Sequence, residues 1–239
     1  MDAYKGCTVA LTALGTGFAS LLVCLPASAA AAVSLIGVED TDNGRVSDTR
    51  IAGRVVARRD VDGDRRRDTI RYKAIRDDLV KVTVTTAAGR VGVKRLRTEY
   101  WPRGRFHGAA PMDGRAGSEL VIGTTFGAHT AWFTVLTWRG GDLVRQGAPG
   151  RGHEWAVDAA ATVYLGWRRT TSEGRARITK RYVFREGVGH HWTGRATTYV
   201  WRPGQGWDRA SARLISIHGD RKASRIGGWR VKGLKRYPW

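Results

Sequence analysis

An acidic turn that runs straight into an alternating β pattern occurs twice in this 239-residue chain. The first copy is Asp60-Val61-Asp62-Gly63-Asp64-Arg65-Arg66-Arg67-Asp68, followed by Thr69-Ile70-Arg71-Tyr72 with Ile70 and Tyr72 on one face. The second is Met112-Asp113-Gly114-Arg115-Ala116-Gly117-Ser118-Glu119, followed by Leu120-Val121-Ile122-Gly123. Asp113-Gly114 matches Asp62-Gly63, and Glu119 matches Asp68 at the same six-residue offset. A fainter third copy starts at Val157-Asp158-Ala159, with Val163-Tyr164-Leu165-Gly166 as its exit strand. Asp62, Asp113 and Asp158 are then 51 and 45 residues apart. A repeat of that length, each copy built on a turn and a strand, suggests blade-like units of short antiparallel strands.

The rest of the pattern agrees. Val80, Val82 and Val84 alternate within Leu79-Val80-Lys81-Val82-Thr83-Val84-Thr85, and Ala87-Ala88-Gly89-Arg90 turns that strand into Val91-Gly92-Val93-Lys94-Arg95-Leu96. Residues 130–138 put Trp132, Thr134, Leu136 and Trp138 on one face and Phe133, Val135 and Thr137 on the other. Arg139-Gly140-Gly141-Asp142 then turns the chain back into Leu143-Val144-Arg145. Further strands are expected at 177–184, 197–201 and 212–217, and Arg202-Pro203-Gly204-Gln205-Gly206 is a turn. No helical periodicity exceeds two turns after residue 30. The expected fold is all-β and antiparallel, with two or three degenerate blade-like repeats. Three blades fall short of the four to eight that close a propeller, which leaves an open propeller fragment, a sandwich or a barrel.

Residues 1–30 read as a secretory signal: Lys5 is a thin positive start, 9–25 is apolar, and Ala27-Ser28-Ala29 is a cleavage site. The rival readings are a retained membrane anchor and a lipoprotein acylated at Cys24, whose preceding Val23 is larger than such a site prefers. With the signal removed, no membrane span is expected. Residues 31–49 form a linker-like segment, in which Asp40, Asp42 and Asn43 read as a solvated turn. Residues 50–239 form a single all-β domain. Both cysteines, Cys7 and Cys24, lie in the leader, so a secreted mature chain depends on its core or on metal rather than on disulfides.

The net charge is +20, from 41 Lys and Arg against 21 Asp and Glu. One reading is adherence to anionic extracellular polymers or surfaces. The other is a coding bias that favours Arg, Ala, Gly and Val together. The basic residues are spread along the chain rather than gathered in a tail, and no specific nucleic-acid partner is expected.

The first acidic turn has the chemistry of a cation site. Asp60, Asp62, Asp64 and Asp68 fall at positions 1, 3, 5 and 9, glycine at 4, and the Arg66 carbonyl at 7 adds a further oxygen. Hard cations such as Ca²⁺ take six to eight oxygen ligands. The alternative is an aspartate turn held by its own side-chain hydrogen bonds and by arginine pairs. An EF-hand loop needs an acid at position 12, where Arg71 stands. The stretch Asp60-x-Asp62-Gly63-Asp64-x-x-x-Asp68 resembles the calcium loops of FG-GAP and VCBS-type repeats. That resemblance implies that Asp60, Asp62, Asp64 and Asp68 are ligands of one structural Ca²⁺ between strands of a blade. Two departures are Arg65 at position 6, where family loops usually carry glycine, and the cationic run Arg65-Arg66-Arg67. In the second copy Pro111 and Arg115 replace two acids. The expectation there is that the metal is lost and that the Arg115 guanidinium lies between Asp113 and Glu119.

Catalytic motifs are sparse. Six histidines show no zinc spacing, and neither a nucleophile elbow nor a phosphate-binding glycine loop occurs. His129 could act as a general base beside Glu119 or Asp113, against a simpler structural hydrogen bond. Ten tryptophans read chiefly as core aromatics, with 204–207 and the 229–239 tail as places for exposed stacking. The sequence therefore points to a secreted calcium-binding β-repeat protein, a structural or surface-binding module. The alternative is a secreted hydrolase acting on an anionic polymer.

Overall fold

A computed structural model describes residues 53–150 and 152–236. The expected signal and linker, with Asp40, Asp42 and Asn43, lie outside the described residues, as does Trp239. The fold is all-β: a four-stranded and a ten-stranded sheet, one short helix, and no closed barrel among the described residues.

The strands fall into three successive antiparallel meanders. The first is β1 (Arg54–Arg59), β2 (Asp68–Arg76), β3 (Leu79–Thr85) and β4 (Val91–Arg97), paired in that order. The second is β5 (Arg105–Ala110), β6 (Glu119–Phe126), β7 (Thr130–Arg139) and β8 (Asp142–Gln146). After it, β9 (Trp155–Ala159) pairs the first half of β7 and also β10 (Val163–Ser172), joining the second meander to the third. The third runs from β10 through β11 (Arg175–Arg185) and β12 (His191–Arg202) to β13 (Gly206–His218). A one-turn helix α1 (Asp220–Ala223) and a 3₁₀ turn (Ser224–Ile226) bring the chain back to β14 (Gly228–Arg230), which pairs β10 in parallel.

Alternation in the sequence becomes burial in the fold. Val80, Val82 and Val84 on β3 are fully buried. They join Ile70 and Leu96 in a core that also takes Leu120, Ile122, Leu136, Trp138 and Leu143 from the second meander. Strand β7 is buried on both faces. Leu136 and Trp138 serve that core, while Phe133 and Val135 enter another with Trp155, Trp167, Ile178 and Trp229. Burying such side chains is worth ~1.5–3 kcal/mol each, and a strand buried on both faces carries apolar residues on both, as β7 does at Phe133, Val135, Leu136 and Trp138.

Two expectations change here. Val157-Asp158-Ala159 is not a third acidic loop. It is strand β9, and Tyr164 pairs Ala159 while Leu165 pairs Asp158 in a tight hairpin. Only Ala160, Ala161 and Thr162 separate the two strands, too few to form the longer turn. The tail is not an exposed stacking surface at Trp229, which is 1% exposed and packs against Trp155 at 5.8 Å between ring centres.

Candidate metal loop and its arginine-closed counterpart

The 60–68 loop leaves β1 and feeds β2. Its backbone is shaped by its own carboxylates. Asp60 accepts from the N–H groups of Gly63 at 2.7 Å and Arg65 at 2.9 Å. Asp62 accepts from Asp64 N–H at 3.2 Å, and Asp64 from Arg66 N–H at 2.7 Å. Asp68 is fully buried and accepts three N–H groups, from Val61 at 2.6 Å, Asp62 at 3.3 Å and Ala87 at 2.9 Å. A carboxylate holding three backbone donors anchors both ends of the loop and the turn after β3. Arg65 takes φ 66°, the left-handed conformation for which glycine is the easier residue.

These bonds bring Asp60, Asp62 and Asp68 together. One carboxylate oxygen from each lies within 4.8 Å of the others, an acidic cluster that could hold a metal. Asp64 is not part of this group, and Arg66 is exposed with its N–H turned to Asp64. Asp62 Oδ2 is buried and has no hydrogen-bond partner among the described residues. Burial, and then the charges of Asp68, Asp64 and Asp60, push the Asp62 carboxyl above its ordinary value, against the pull of the Asp64 N–H. Arg65, Arg66 and Arg67 all point to solvent, and no ion pair among the described residues involves an aspartate of the loop. The arginine pairing open to the sequence is therefore not how this loop is neutralised.

The second acidic turn, 112–119, is cast in the same mould. Met112 N–H donates to Glu119 at 2.6 Å, as Val61 N–H does to Asp68, and Arg115 N–H donates to Asp113 at 2.8 Å, as Asp64 N–H does to Asp62. The expected role of the Arg115 side chain is corrected, because it is exposed. The cation is Arg139, at the end of β7. It donates to Asp113 at 2.6 Å and lies 3.6 Å from Glu119. Gln146 of β8 adds a bond to Asp113 at 2.8 Å, and the Thr137 hydroxyl donates to Glu119 at 3.1 Å. The Asp113 carboxylate is 0% exposed. Burial first, and the Asp113 charge second, push Glu119 up to about 7, while Met112 N–H, the Thr137 hydroxyl and Arg139 act in the opposite sense.

The two loops touch. Gly117, at φ 97°, lies so close to the first loop that a Cβ there would fall 2.3 Å from the Val61 carbonyl oxygen. A Cβ on Gly63 would fall 2.7 Å from the Ala116 Cβ. Glycine is needed at both contacts because backbone meets backbone, or nearly so.

His129 pairs with neither Glu119 nor Asp113. Its Nδ1 lies 2.9 Å from Asp158 Oδ1, and Thr130 donates its hydroxyl to Asp158 Oδ2. The pair sits at the start of β7 and lines none of the described clefts. A cleft of about 440 Å³ is bordered by Glu99, His153, Glu154 and Trp132, and the His153 ring is hydrogen-bonded to the Ala148 carbonyl instead of to either acid. No protein-family model, curated protein or solved structure matches the chain. Among the described residues no helix is long and apolar enough to cross a membrane.

Arg139 and Gln146 are the residues that reading the sequence overlooks. Arg139 reads as the first residue of a glycine turn, and nothing local marks it as the counter-charge of an acid 26 positions earlier.

Proposed function

We propose that the 60–68 loop binds one Ca²⁺ that braces the first meander against the second, and that the protein is a secreted, surface-binding β-repeat module of the FG-GAP and VCBS kind. One contrast carries this reading: two loops of one mould, of which the second has its buried acids neutralised by Arg139, while the first gathers three carboxylates with no cationic side chain paired to them among the described residues. Bringing carboxylates together without a counter-charge is unfavourable, and a divalent ion would supply both the charge and the partner that Asp62 Oδ2 lacks. Asp60, Asp62 and Asp68 would be the carboxylate ligands, with Asp64 and the Arg66 carbonyl joining by a small turn of the loop. The three arginines weaken the site, and affinity on the order of 10⁻⁴–10⁻³ M is expected, as for other extracellular modules.

The test is a calorimetric calcium titration of the purified chain and of Asp62→Ala. A one-site isotherm that disappears in the variant supports the reading. The absence of heat in the wild-type protein, or its persistence in Asp62→Ala, defeats it.

A further inference from the structure

On the third meander, strand register places arginines in one row. Gly166 pairs Arg181, Arg181 pairs Ala196, and Ala196 pairs Arg213, so the four positions share a face. One step along β10, Arg168 points to that same face and stands beside Arg230 of β14. From β14 to β13 there are four strand spacings, or about 19 Å. The backbone of 226–228 lies on Gly166, where a Cβ would fall 2.2 Å from the Ile226 carbonyl oxygen, so the row is roofed there and its charge is carried by the side chains on either side.

The row is left positive. Arg168, Arg213, Arg225 and Arg236 are exposed, and none of the six arginines 168, 181, 213, 225, 230 and 236 has an ion pair among the described residues. Three other arginines of the same meander are matched with acids, Arg177 with Glu173 at 3.3 Å, Arg185 with Asp220 at 3.2 Å and Arg202 with Asp208 at 2.8 Å. Arg181, at the centre, reaches only backbone carbonyls, those of Arg225 at 3.5 Å and Ile226 at 3.4 Å, and its Nε is buried without a partner. Burial, then the charges of Arg230, Arg168, Arg213 and Arg236, lower Arg181 to about 10. Burial, then Arg236, Arg168 and Arg225, lower Arg230 in the same sense. Guanidinium groups crowded in this way repel one another unless an anion lies among them.

We propose that this row is a binding strip for a linear polysaccharide carrying sulfate or phosphate esters. The chemistry is that of arginine forks on tetrahedral oxyanions, which they bind through paired hydrogen bonds. The shape is a strip two adjacent rows wide, Arg181 with Arg213 and Arg168 with Arg230, about 7 Å across, which suits a thin chain rather than a duplex about 20 Å across. Single-stranded nucleic acid needs aromatic platforms for its bases. The aromatic residues of this face, Tyr164 and Trp192, are instead packed against each other, ring centres 4.9 Å apart and planes tilted by 33°, in the core beneath α1. The inference rests on the surface-binding reading and is independent of the calcium loop.

The test uses the full chain and fluorescently labelled dextran sulfate, followed by anisotropy in about 150 mM salt, with neutral dextran as control. Two triple variants remove the same charge: R168Q/R213Q/R236Q in the strip, and R58Q/R90Q/R95Q, all exposed, on the first meander. The strip variant is expected to bind roughly tenfold more weakly or worse and to show a shallower salt dependence, with the other within about twofold of wild type. Arg213→Gln alone, on the edge strand β13, gives the same reading with less disturbance should the triple variant fold poorly. Equal weakening by both triple variants reduces the effect to net charge and overturns the proposal. Binding of neutral dextran, or duplex DNA displacing the probe at lower concentration than unlabelled dextran sulfate, overturns the assignment of ligand class. Each titration is run in calcium and in EGTA. Dextran sulfate binding that persists in a protein showing no calcium response separates the fate of this strip from that of the 60–68 loop.

Discussion

The 60–68 and 112–119 loops share a bond from the residue before their Asp-Gly, Val61 or Met112, to their last acid, 2.6 Å in both, and differ in how negative charge is met. In the second loop the chain supplies its own cation, Arg139, from a neighbouring strand. In the first none of the described residues supplies one, and a buried oxygen of Asp62 has no hydrogen-bond partner among them. The comparison teaches that one turn geometry can be completed in two ways. An internal arginine makes the loop part of the permanent core. An external ion makes its stability depend on the medium, because a ligand bound only by the folded state stabilises it by mass action.

The most damaging test of this contrast is Arg139→Ala. It leaves two buried acids without their counter-charge and is expected to cost about 3–5 kcal/mol in chemical denaturation, with or without calcium. Arg115→Ala, which removes only an exposed side chain, should stay within about 0.5 kcal/mol. A larger loss for Arg115 than for Arg139 would reverse the assignment. Next in size is the contact between the loops. Gly117→Ala meets both the φ of 97° and the 2.3 Å approach to Val61, and should destabilise by roughly 2 kcal/mol. It should also lower calcium affinity by displacing the first loop; a variant with wild-type melting and wild-type calcium response would separate the two sites.

A smaller effect lies in pH. Glu119 is raised from 4.5 to about 7 in the folded protein. A raised carboxyl binds its proton more tightly when folded, so its contribution is fully present below pH 4.5 and is lost as pH rises through 7. Denaturation midpoints taken in EGTA from pH 4.5 to 8 should carry this decline, and Glu119→Gln should flatten it. An unchanged slope in the variant would show that the pH response comes from elsewhere. The smallest expected change is Arg65→Gly. Relief of the left-handed conformation is offset by glycine's entropy, leaving about 0.5 kcal/mol, while loss of one positive charge should tighten calcium modestly. Weaker calcium binding in this variant would mean that Arg65 supports the ion.

Much of this is legible in the sequence. The strand 79–85 is expected from its three valines and observed with those bounds. The Ala87–Arg90 turn and the strands at 130–138 and 212–217 follow from alternation and turn residues that act locally. The matching acidic turns were visible because Asp-Gly and a later acid shape the backbone from within the segment. What was hidden is what arrives from elsewhere. Arg139 and Gln146 reach Asp113 across strand pairings, and Asp158 belongs to His129 and Thr130 of another strand. The third meander is a four-stranded unit without an acidic turn, so repeated aspartates do not mark it in the sequence. Likewise the arginine strip is invisible in a chain with basic residues throughout, because only strand register lines up positions 168, 181, 213 and 230.

The most direct measurement is thermal melting of the wild-type chain and of Asp62→Ala, each in EGTA and in about 10 mM calcium. For the affinity expected of such a loop, calcium should stabilise the wild-type protein by about 1.4–2.7 kcal/mol, a rise in melting temperature of roughly 3–10 °C. Asp62→Ala should melt at or slightly above the wild-type EGTA temperature, having lost its unpartnered oxygen, and should not respond to calcium. Superimposable wild-type melts, or a calcium response kept by Asp62→Ala, would contradict an ion at the 60–68 loop and leave its carboxylates as a turn held by its own backbone bonds.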